Sequence, residues 1–266
     1  MRIVQKEPFM KGYNSIITMD EHKDMMMDFG ILKLDNGDRE INAEEKERAY
    51  LLMYGKVTFE WGGQWVVAKR ESFLDDNPWC LNVPPGMEVK ITALEDAEIS
   101  VHKTLNEDIT FTSSLYKKND CRIEIRGKGT MNEAGTRVVR TILDKSIAPK
   151  SNLMLGEDVH YPGKWAGFPS HYHPQPEIYF YKFNPENGFG LLKLGDEAVL
   201  LEHNDTVKIA PNLVHPQVAA PGYAMYFIWV IRHLENNPYI TPIFEPEHIW
   251  VEQKDAKIWP EKREDE

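Results

Sequence analysis

Four residues in the C-terminal half have the types and the spacing of a metal site. His171 and His173 are one residue apart, Glu177 follows four positions later, and His215 lies thirty-eight residues further on. Because side chains alternate between the faces of a β-strand, the first three positions would point to one side. Imidazoles and a carboxylate that converge bind Zn or Mn, with Fe and Ni as alternatives. The pattern predicts a centre with three histidine ligands and one glutamate ligand.

Chance proximity is the alternative interpretation, because the chain has nine histidines. A lone His-x-His pair indicates a metal site only weakly. The surrounding segment GKWAGFPSHYHPQPEIYFYKF favours the metal interpretation, since it is rich in aromatic residues. Residues 178–183 within it have high β-propensity, so a strand would follow the histidine pair directly.

Composition limits the classes of partner. The chain has 266 residues and a net charge of −11, which argues against a nucleic-acid partner because phosphate binding needs clustered Lys and Arg. It contains no apolar run of the roughly 20 residues that a membrane helix needs. The N-terminus MRIVQKEPFMKG lacks the apolar core of a signal peptide. With two cysteines read as unpaired thiols, we expect a cytoplasmic protein that acts on a small molecule, without a membrane partner.

Short β-rich runs dominate the chain, and helical periodicity is scarce. Turn signals such as Trp61-Gly62-Gly63-Gln64 and Leu194-Gly195-Asp196 separate these runs. The nearly continuous apolar run YAMYFIWVI is typical of a strand buried on both faces. We expect an all-β fold built from barrels or sandwiches.

The two halves repeat the same order of signals: an apolar strand, a glycine turn, a hairpin, a proline-containing turn and another strand. This predicts a duplicated barrel, with residues 1–125 and 126–266 as domains and a linker near residues 117–136. If Glu47 takes the place of Glu177, Ile41 and Ala43 stand where the paired histidines would be. The N-terminal domain is then a degenerate barrel without metal ligands. Apolar strands in it favour a homo-oligomer.

The motif order resembles one known family. GEDVHYPGKWAGFPSHYH, EIYFYKFNPENGFG, HPQVAAPGYAMYFIWV and EHIWV follow one another, and the N-terminal half adds NGDRE, YLLMYGKVTFEWGG and LNVPPG. The chain is similar, from about residue 25 to about residue 252, to the 5-deoxy-glucuronate isomerases of bacterial inositol catabolism. Their near relatives, the 4-deoxy-threo-hexosulose-uronate isomerases, share the pattern. The resemblance implies a bicupin, that is two jelly-roll β-barrel (cupin) domains in tandem.

The resemblance further implies an aldose–ketose isomerase of a deoxy sugar acid, with a divalent metal on the four ligands already predicted. Several positions depart from the family. The loop between the histidine pair and Glu177 is shortened to Pro174, Gln175 and Pro176. Leu191-Leu192 replaces the Gln-Arg pair that follows the GFG turn, and Trp229 stands where the family has an Asn. Loss of an arginine that could pair with a carboxylate leaves the preferred sugar acid open.

The isomerisation needs groups that move a proton and groups that bind the substrate. Glu177, Tyr181, Tyr223 and His248 are the candidates for proton transfer, with Tyr179 as a further tyrosine. For each tyrosine, a packed core position is the alternative. Lys182, Lys164 and Trp229 are the candidates for substrate binding. Two other function classes stay open, a cupin dioxygenase using Fe or Mn and a sugar-binding bicupin without catalysis.

Overall fold

The computed structural model of the chain describes residues 1–253 and 255–260. These residues form mainly β-strands. The first ten strands are β1 (Arg2–Ile3), β2 (Gly12–Ile17), β3 (Asp28–Leu34), β4 (Arg39–Asn42), β5 (Glu47–Trp61), β6 (Gln64–Arg70), β7 (Trp79–Val83), β8 (Val89–Ala93), β9 (Ala97–Thr104) and β10 (Ser114–Tyr116).

The C-terminal half contains the strands β11 (Arg122–Arg126), β12 (Arg137–Leu143), β13 (Leu153–His160), β14 (Trp165–Ala166), β15 (His171–Tyr172), β16 (Glu177–Asn184), β17 (Phe189–Leu194), β18 (Glu197–Glu202), β19 (Thr206–Ile209), β20 (Gln217–Ala219), β21 (Ala224–Arg232) and β22 (Ile243–Phe244). Short 3-10 helices cover Lys23–Met25, Met131–Glu133 and Pro246–Glu252. Among the described residues, no helix is long and apolar enough to cross a membrane.

The N-terminal half is one curled sheet of nine strands. Its main path runs β10-β7-β5-β9-β3-β2, and β4, β6 and β8 extend it through the second half of β5. The long strand β5 passes from one layer to the other near Gly55, whose φ is +102°. A Cβ on Gly55 would lie 2.3 Å from the backbone oxygen of Asp96, so only glycine fits this bend.

The C-terminal half combines a sheet of seven strands in the order β1-β19-β16-β21-β13-β12-β11 with a sheet of four strands in the order β14-β20-β17-β18. Strand β21 is buried along almost its whole length, as its apolar sequence predicts. The turns predicted at Gly62-Gly63 and at Gly195-Asp196 join β5 to β6 and β17 to β18.

Side-chain alternation produces three cores. One lies between the two large sheets and takes residues from both halves, among them Phe29, Leu51, Leu155, Phe180 and Ile228. The others are the barrel interiors. The N-terminal interior contains Tyr50, Phe59, Trp61 and Ile99. The C-terminal interior contains Tyr179, Tyr181, Phe227 and Trp229.

Buried ion pairs also join the halves. The guanidinium of Arg70 donates to both carboxylate oxygens of Glu157, at 2.7 and 2.9 Å, and both side chains are fully buried. Arg140 contacts the same carboxylate at 3.3 Å. A second buried pair joins Lys182 to Glu98 at 2.8 Å. Charge pairing therefore fixes the contact between the two large sheets at defined points.

The predicted division after residue 125 stays a prediction. Strand β11 lies across that position and pairs with β12, so the expected linker contains a strand of the C-terminal sheet. Strand β1, at the other end of the chain, pairs with β19. The N-terminus is therefore attached to the C-terminal sheet. Cys80 and Cys121 are free, buried thiols.

Candidate metal centre and its cavity

Three neighbouring elements carry the predicted ligands. His171 begins the two-residue strand β15, which pairs with β22. His173 lies after that strand, in the bend made by Pro174 and Pro176, and Glu177 is the first residue of β16. The histidine pair therefore lies on a short strand and the bend after it instead of on one long barrel strand. His215 comes from the loop between β19 and β20.

A compact group of donor atoms results. One ligand atom from each of His173, Glu177 and His215 lies within 4.8 Å of the other two, and all three residues are buried. Oε2 of Glu177 is 3.1 Å from Nε2 of His173 and 3.4 Å from Nε2 of His215. Among the described residues, no Lys or Arg pairs with this carboxylate. The charge of the Glu177 carboxylate is therefore not balanced by a lysine or arginine side chain of the described residues.

The backbone selects which ring nitrogen faces the carboxylate. Nδ1 of His173 lies 3.0 Å from the carbonyl oxygen of Gln175, and Nδ1 of His215 lies 2.8 Å from that of Leu213. A carbonyl oxygen only accepts hydrogen bonds, so each Nδ1 must carry the proton and donate it. In the neutral ring, Nε2 then presents a lone pair. Two lone pairs and a carboxylate oxygen at these distances fit a bound cation, and fixing the tautomer through the backbone is typical of metal-binding histidines.

His171 lies at the edge of this group. Its ring packs edge-on against that of His215, with the centroids 5.0 Å apart, and its Nδ1 donates to the carbonyl of Pro169 at 3.1 Å. The same tautomer rule therefore applies, and Nε2 is again the free nitrogen. His171 is outside the tight group of three donors but lines the same cavity. The structure thus brings all four predicted ligands to one place.

Burial favours the neutral form of two of these imidazoles, those of His171 and His215. Burial lowers the pKa of His171 to about 4, and the nearby charges of His173, Arg137 and Arg126 act in the same direction. Burial also lowers the pKa of His215 to about 4, although the charge of Glu177 opposes the shift. Neutral imidazole is the form that binds metal ions.

The candidate ligands open onto a cavity of about 580 Å³. That volume lies within the range of small-molecule sites. Its wall is the inner face of the large C-terminal sheet together with the segment before β22. The residues that line it include Arg137, Asp158, Tyr179, Trp229 and Tyr239.

Trp229, one of the predicted substrate-binding residues, lies in the cavity wall. Its indole N–H donates to Oδ1 of Asp158 at 2.9 Å. The ring lies over Gly156, where an added Cβ would be 2.1 Å from the indole carbon Cζ2. Gly156 therefore makes room for the indole. The other oxygen of Asp158 accepts from Nε of Arg137 at 2.9 Å.

Two tyrosines of the wall pack against candidate metal ligands. The ring of Tyr239 packs edge-on against His173 with centroids 4.8 Å apart, and the ring of Tyr179 lies 5.8 Å from that of His215. Burial and the charge of Glu177 raise the pKa of both hydroxyls above the usual value. Tyr239 is not predicted from the sequence, because the loop segment NNPYITP has no periodicity or motif. Arg137 is not predicted either, because its strand has no motif. Asp158 lies within the quoted segment GEDVHYPGKWAGFPSHYH, but nothing in that segment singles it out.

The other predicted proton-transfer residues lie outside the cavity wall. Tyr181 is fully buried deeper in the barrel, where its hydroxyl donates to Oε1 of Gln217 at 2.6 Å. Tyr223 packs against Phe189 with centroids 6.4 Å apart. His248 lies within the 3-10 helix Pro246–Glu252, where its ring packs at a tilt against that of Phe168. The structure brings Glu177, but not Tyr181, Tyr223 or His248, to the cavity.

The two predicted substrate lysines are also elsewhere. Lys182 is buried against the N-terminal half, where it pairs with Glu98 and donates to Oδ1 of Asn204 at 2.9 Å. Lys164 lies in the turn before β14, and its backbone N–H donates to the carbonyl of Tyr161 at 3.1 Å. Neither ammonium lines the cavity. The alternation of side chains along β16 explains why Lys182 lies outside the cavity. Tyr179 and Tyr181 face the barrel interior, so Lys182, the residue after Tyr181, faces the other side of the sheet.

Comparison with solved structures confirms the all-β bicupin fold. An IolB-like protein from Salmonella typhimurium LT2 superposes with a TM-score of 0.83 at 22% identity, covering 94% of this chain and 98% of that one. Oxalate decarboxylase from Lactobacillus farciminis gives a TM-score of 0.65 at 12% identity, covering 89% of this chain and 85% of that one. At these identities the likeness concerns the fold alone.

Sequence comparison identifies relatives. A 5-deoxy-glucuronate isomerase of Geobacillus kaustophilus (strain HTA426) is 26% identical over 230 residues, which are 78% of this chain and 79% of that protein. One from Geobacillus thermodenitrificans (strain NG80-2) is 28% identical over 191 residues, 65% and 66% of the two chains. These relatives confirm the prediction of an isomerase. The KduI/IolB family model matches residues 3–251, and the chain belongs to this family.

Proposed function

We propose that the protein is a metal-dependent aldose–ketose isomerase acting on a deoxy sugar acid, with an activity like that of 5-deoxy-glucuronate isomerase. The observation that carries the proposal is the buried carboxylate of Glu177, which faces the lone pairs of two histidines in the cavity. The relatives named as 5-deoxy-glucuronate isomerases support the substrate class. The cavity volume of about 580 Å³ suits a single sugar acid.

The residues present fit a divalent ion. His171, His173, Glu177 and His215 would hold it, and Zn or Mn suits a set of imidazoles and one carboxylate, with Fe or Ni as alternatives. When bound, the ion would act as a Lewis acid toward the carbonyl group of the sugar. The backbone carbonyls of Pro169, Gln175 and Leu213 orient the rings, because each accepts the Nδ1 proton of one histidine.

The chain's own groups move the proton. Isomerisation takes a proton from the carbon beside the carbonyl and returns one to the former carbonyl carbon. Oε2 of Glu177 faces the two imidazoles, which leaves its Oε1 to accept the carbon-bound proton. The hydroxyls of Tyr179 and Tyr239 are protonated at neutral pH, as for any tyrosine, and burial raises the pKa of each further. They can therefore donate hydrogen bonds to the sugar oxygens and relay protons between them.

We also propose a cytoplasmic homo-oligomer that acts in inositol catabolism. The similarity to 5-deoxy-glucuronate isomerases, whose family resemblance implies inositol catabolism, supports the pathway. Two free, buried thiols suit a reducing compartment. Exposed apolar side chains on the outer face of the N-terminal sheet, such as Trp65 at 71% exposure and Ile41 at 55%, support self-association.

A turnover screen tests the proposed function. Purified protein loaded with Mn or Zn is incubated with a panel of uronates and deoxyuronates, and NMR follows conversion of the aldose to the ketose. We expect conversion of 5-deoxy-glucuronate, loss of the activity after chelation and recovery when the metal is restored. No conversion of any sugar acid by the metal-loaded protein would contradict the proposal. Oxygen uptake by the Fe-loaded protein would favour a dioxygenase instead.

A further inference from the structure

Four basic side chains line the cavity, and they differ in what already binds them. Arg122 is exposed and donates to Asp144 at 2.8 Å, and Arg126 is exposed and donates to Glu124 at 2.9 Å. Lys145 donates to two backbone carbonyls, at 2.7 and 3.0 Å. Arg137 is different because it is only 9% exposed yet still lines the cavity.

Two contacts fix the guanidinium of Arg137 from one side. Nε donates to Oδ2 of Asp158 at 2.9 Å, and Nη1 donates to the carbonyl of Gly135 at 3.0 Å. The carboxylate of Asp158 is fixed in turn, since its other oxygen accepts from the indole of Trp229 at 2.9 Å. The arginine is therefore held before any ligand arrives.

These contacts use only part of the hydrogen-bonding capacity of Arg137. A guanidinium has five N–H donors, and the two contacts use one each of Nε and Nη1. Nη2 donates to none of the described residues. The remaining donors lie at the end of the side chain, in the arrangement that binds a carboxylate through two parallel hydrogen bonds. The charges of Asp158 and Arg137 cancel. The pair alone therefore does not balance the negative charge of an incoming carboxylate.

The position of the pair connects it to the metal centre. Strands β12, β13, β21 and β16 are consecutive neighbours in the large C-terminal sheet. Arg137, Asp158, Trp229 and Glu177 project from these four strands, one from each, into the same cavity. A sugar acid whose carbonyl end lies at Glu177 can thus extend its acid end along one continuous wall.

We propose that Arg137, held by Asp158, binds the carboxylate of the sugar-acid substrate. This inference rests on the proposed function and deepens it, because it assigns the group that distinguishes an acid from a neutral sugar. Lys182 and Lys164, which the sequence suggested for this role, do not line the cavity. Asp158 and Trp229 act as positioning residues for the guanidinium.

Ligand binding tests this role without turnover. Isothermal calorimetry on the metal-loaded protein compares D-glucuronate with D-glucose, which lacks the carboxylate. We expect the wild type to prefer D-glucuronate, and Arg137→Gln to bind it about 30-fold more weakly, as expected for loss of hydrogen bonds to a charged group. Affinity for D-glucose stays within about twofold, because the neutral sugar does not use the charge. Arg137→Lys keeps the charge but not the two parallel hydrogen bonds, so its loss is intermediate.

Matched variants separate this role from its alternatives. Arg39→Gln removes an exposed arginine of β4 and leaves binding unchanged. Arg137→Gln with Asp158→Asn removes both charges of the pair, which keeps the fold free of an unpaired buried carboxylate, and it also loses the preference for D-glucuronate. The inference is overturned if Arg137→Gln, alone or with Asp158→Asn, retains the wild-type preference, or if Arg126→Gln loses it instead. It is equally overturned if the wild type does not distinguish the two sugars, whereas the proposed function fails only when no sugar acid is isomerised.

Discussion

The interiors of the two barrels differ although both are built on a curled sheet. The N-terminal interior is filled by apolar side chains, including Phe59, Trp61 and Ile91. The C-terminal interior contains a cavity of about 580 Å³ with candidate metal ligands in its wall. A filled interior contributes packing, whereas an open interior with fixed polar groups can bind a ligand. The same architecture thus forms a packed apolar core in the N-terminal half and a candidate ligand-binding cavity in the C-terminal half.

The two glutamates at the start of the equivalent strands show how this difference arises. Glu47 begins β5 and Glu177 begins β16, and both are buried. The residues two positions further on, which share a strand face with them, show that they face opposite sides. Ala49 belongs to the core between the large sheets, whereas Tyr179 belongs to the barrel interior. A shift of one residue in a strand reverses which face a side chain occupies.

Their partners differ accordingly. The carboxylate of Glu47 accepts from Asn82 at 3.2 Å, from Asn106 at 2.7 Å, from the backbone of Asn152 at 2.9 Å and from the hydroxyl of Ser151. It is fully used inside the protein. The position that faces the N-terminal barrel interior is Arg48, whose guanidinium donates to backbone carbonyls, including that of Pro84 at 3.1 Å. The N-terminal barrel has an arginine where the C-terminal barrel has the carboxylate of its candidate metal site.

Replacing each glutamate gives the largest contrast. Glu177→Ala removes a candidate metal ligand and the carboxylate proposed as base, so we expect kcat to fall at least about 1000-fold. Glu47→Ala leaves several buried donors without their acceptor and lowers the free energy of unfolding by about 3 kcal/mol. We expect the folded fraction of Glu47→Ala to have the metal content and the kcat of the wild type. Elemental analysis, steady-state kinetics and denaturant unfolding measure these quantities, and loss of metal from folded Glu47→Ala would contradict the comparison.

Breaking the buried contact between the halves affects stability more than chemistry. Arg70→Met leaves Glu157 without its main partner in a fully buried site, so we expect a loss of about 3 to 5 kcal/mol in the free energy of unfolding. Arg140 and the hydroxyl of Tyr226 still contact Glu157 but cannot replace a guanidinium that donates to both oxygens. Urea denaturation measures the loss. Arg70→Met with Glu157→Leu is the matched control, and recovery of most of the stability would show that the unpaired charge is the cause.

Local patterns predicted much of this architecture. The turns at Gly62-Gly63 and Gly195-Asp196, the buried strand β21 and the all-β fold follow from short-range composition. The spacing of His171, His173 and Glu177 indicated their common location because they are close in the chain. The alignment of Glu47 with Glu177 could not reveal the reversed face, since register is set by long-range pairing.

The lining of the cavity could not be predicted for a related reason. Arg137 and Tyr239 come from separate segments and reach the cavity of the candidate metal ligands only through the tertiary fold. Lys182 is charged and adjacent to a predicted tyrosine, yet it lies across the sheet from the cavity and pairs with Glu98. Its partner is in the other half of the chain, so no local pattern could have assigned it.

The tyrosines of the two interiors provide a smaller test. Tyr239→Phe removes the hydroxyl of a ring that packs against His173. If this hydroxyl transfers protons as proposed, kcat falls about 100-fold, the lower range for loss of a proton-transfer group. Tyr50→Phe removes a buried hydroxyl of the N-terminal interior that donates to Asn42 at 3.4 Å, and kcat is expected to stay unchanged. Steady-state kinetics over a range of pH measures both. Equal effects of the two variants would show that Tyr239 is a packing residue.

Acid sensitivity gives the smallest expected effect. Burial lowers the pKa of His102, in the N-terminal half, to about 3. Its pKa in the unfolded chain is near 6.5, so the unfolded state binds the extra proton as the pH falls below about 6.5. Stability therefore falls from about pH 6.5 downward, and His102 contributes up to about 1.4 kcal/mol per pH unit. His102→Phe should reduce the slope of unfolding free energy against pH, and an unchanged slope would contradict this assignment.

The metal content of purified variants tests the central claim most directly, because it depends on the candidate ligands and not on the choice of substrate. Elemental analysis of protein prepared with Zn or Mn should find about one ion per chain in the wild type. The control variant His102→Phe replaces a histidine buried in the N-terminal half, and it should contain the same amount. His173→Ala should contain no stoichiometric metal while it remains folded. Full metal occupancy in His173→Ala would contradict the account.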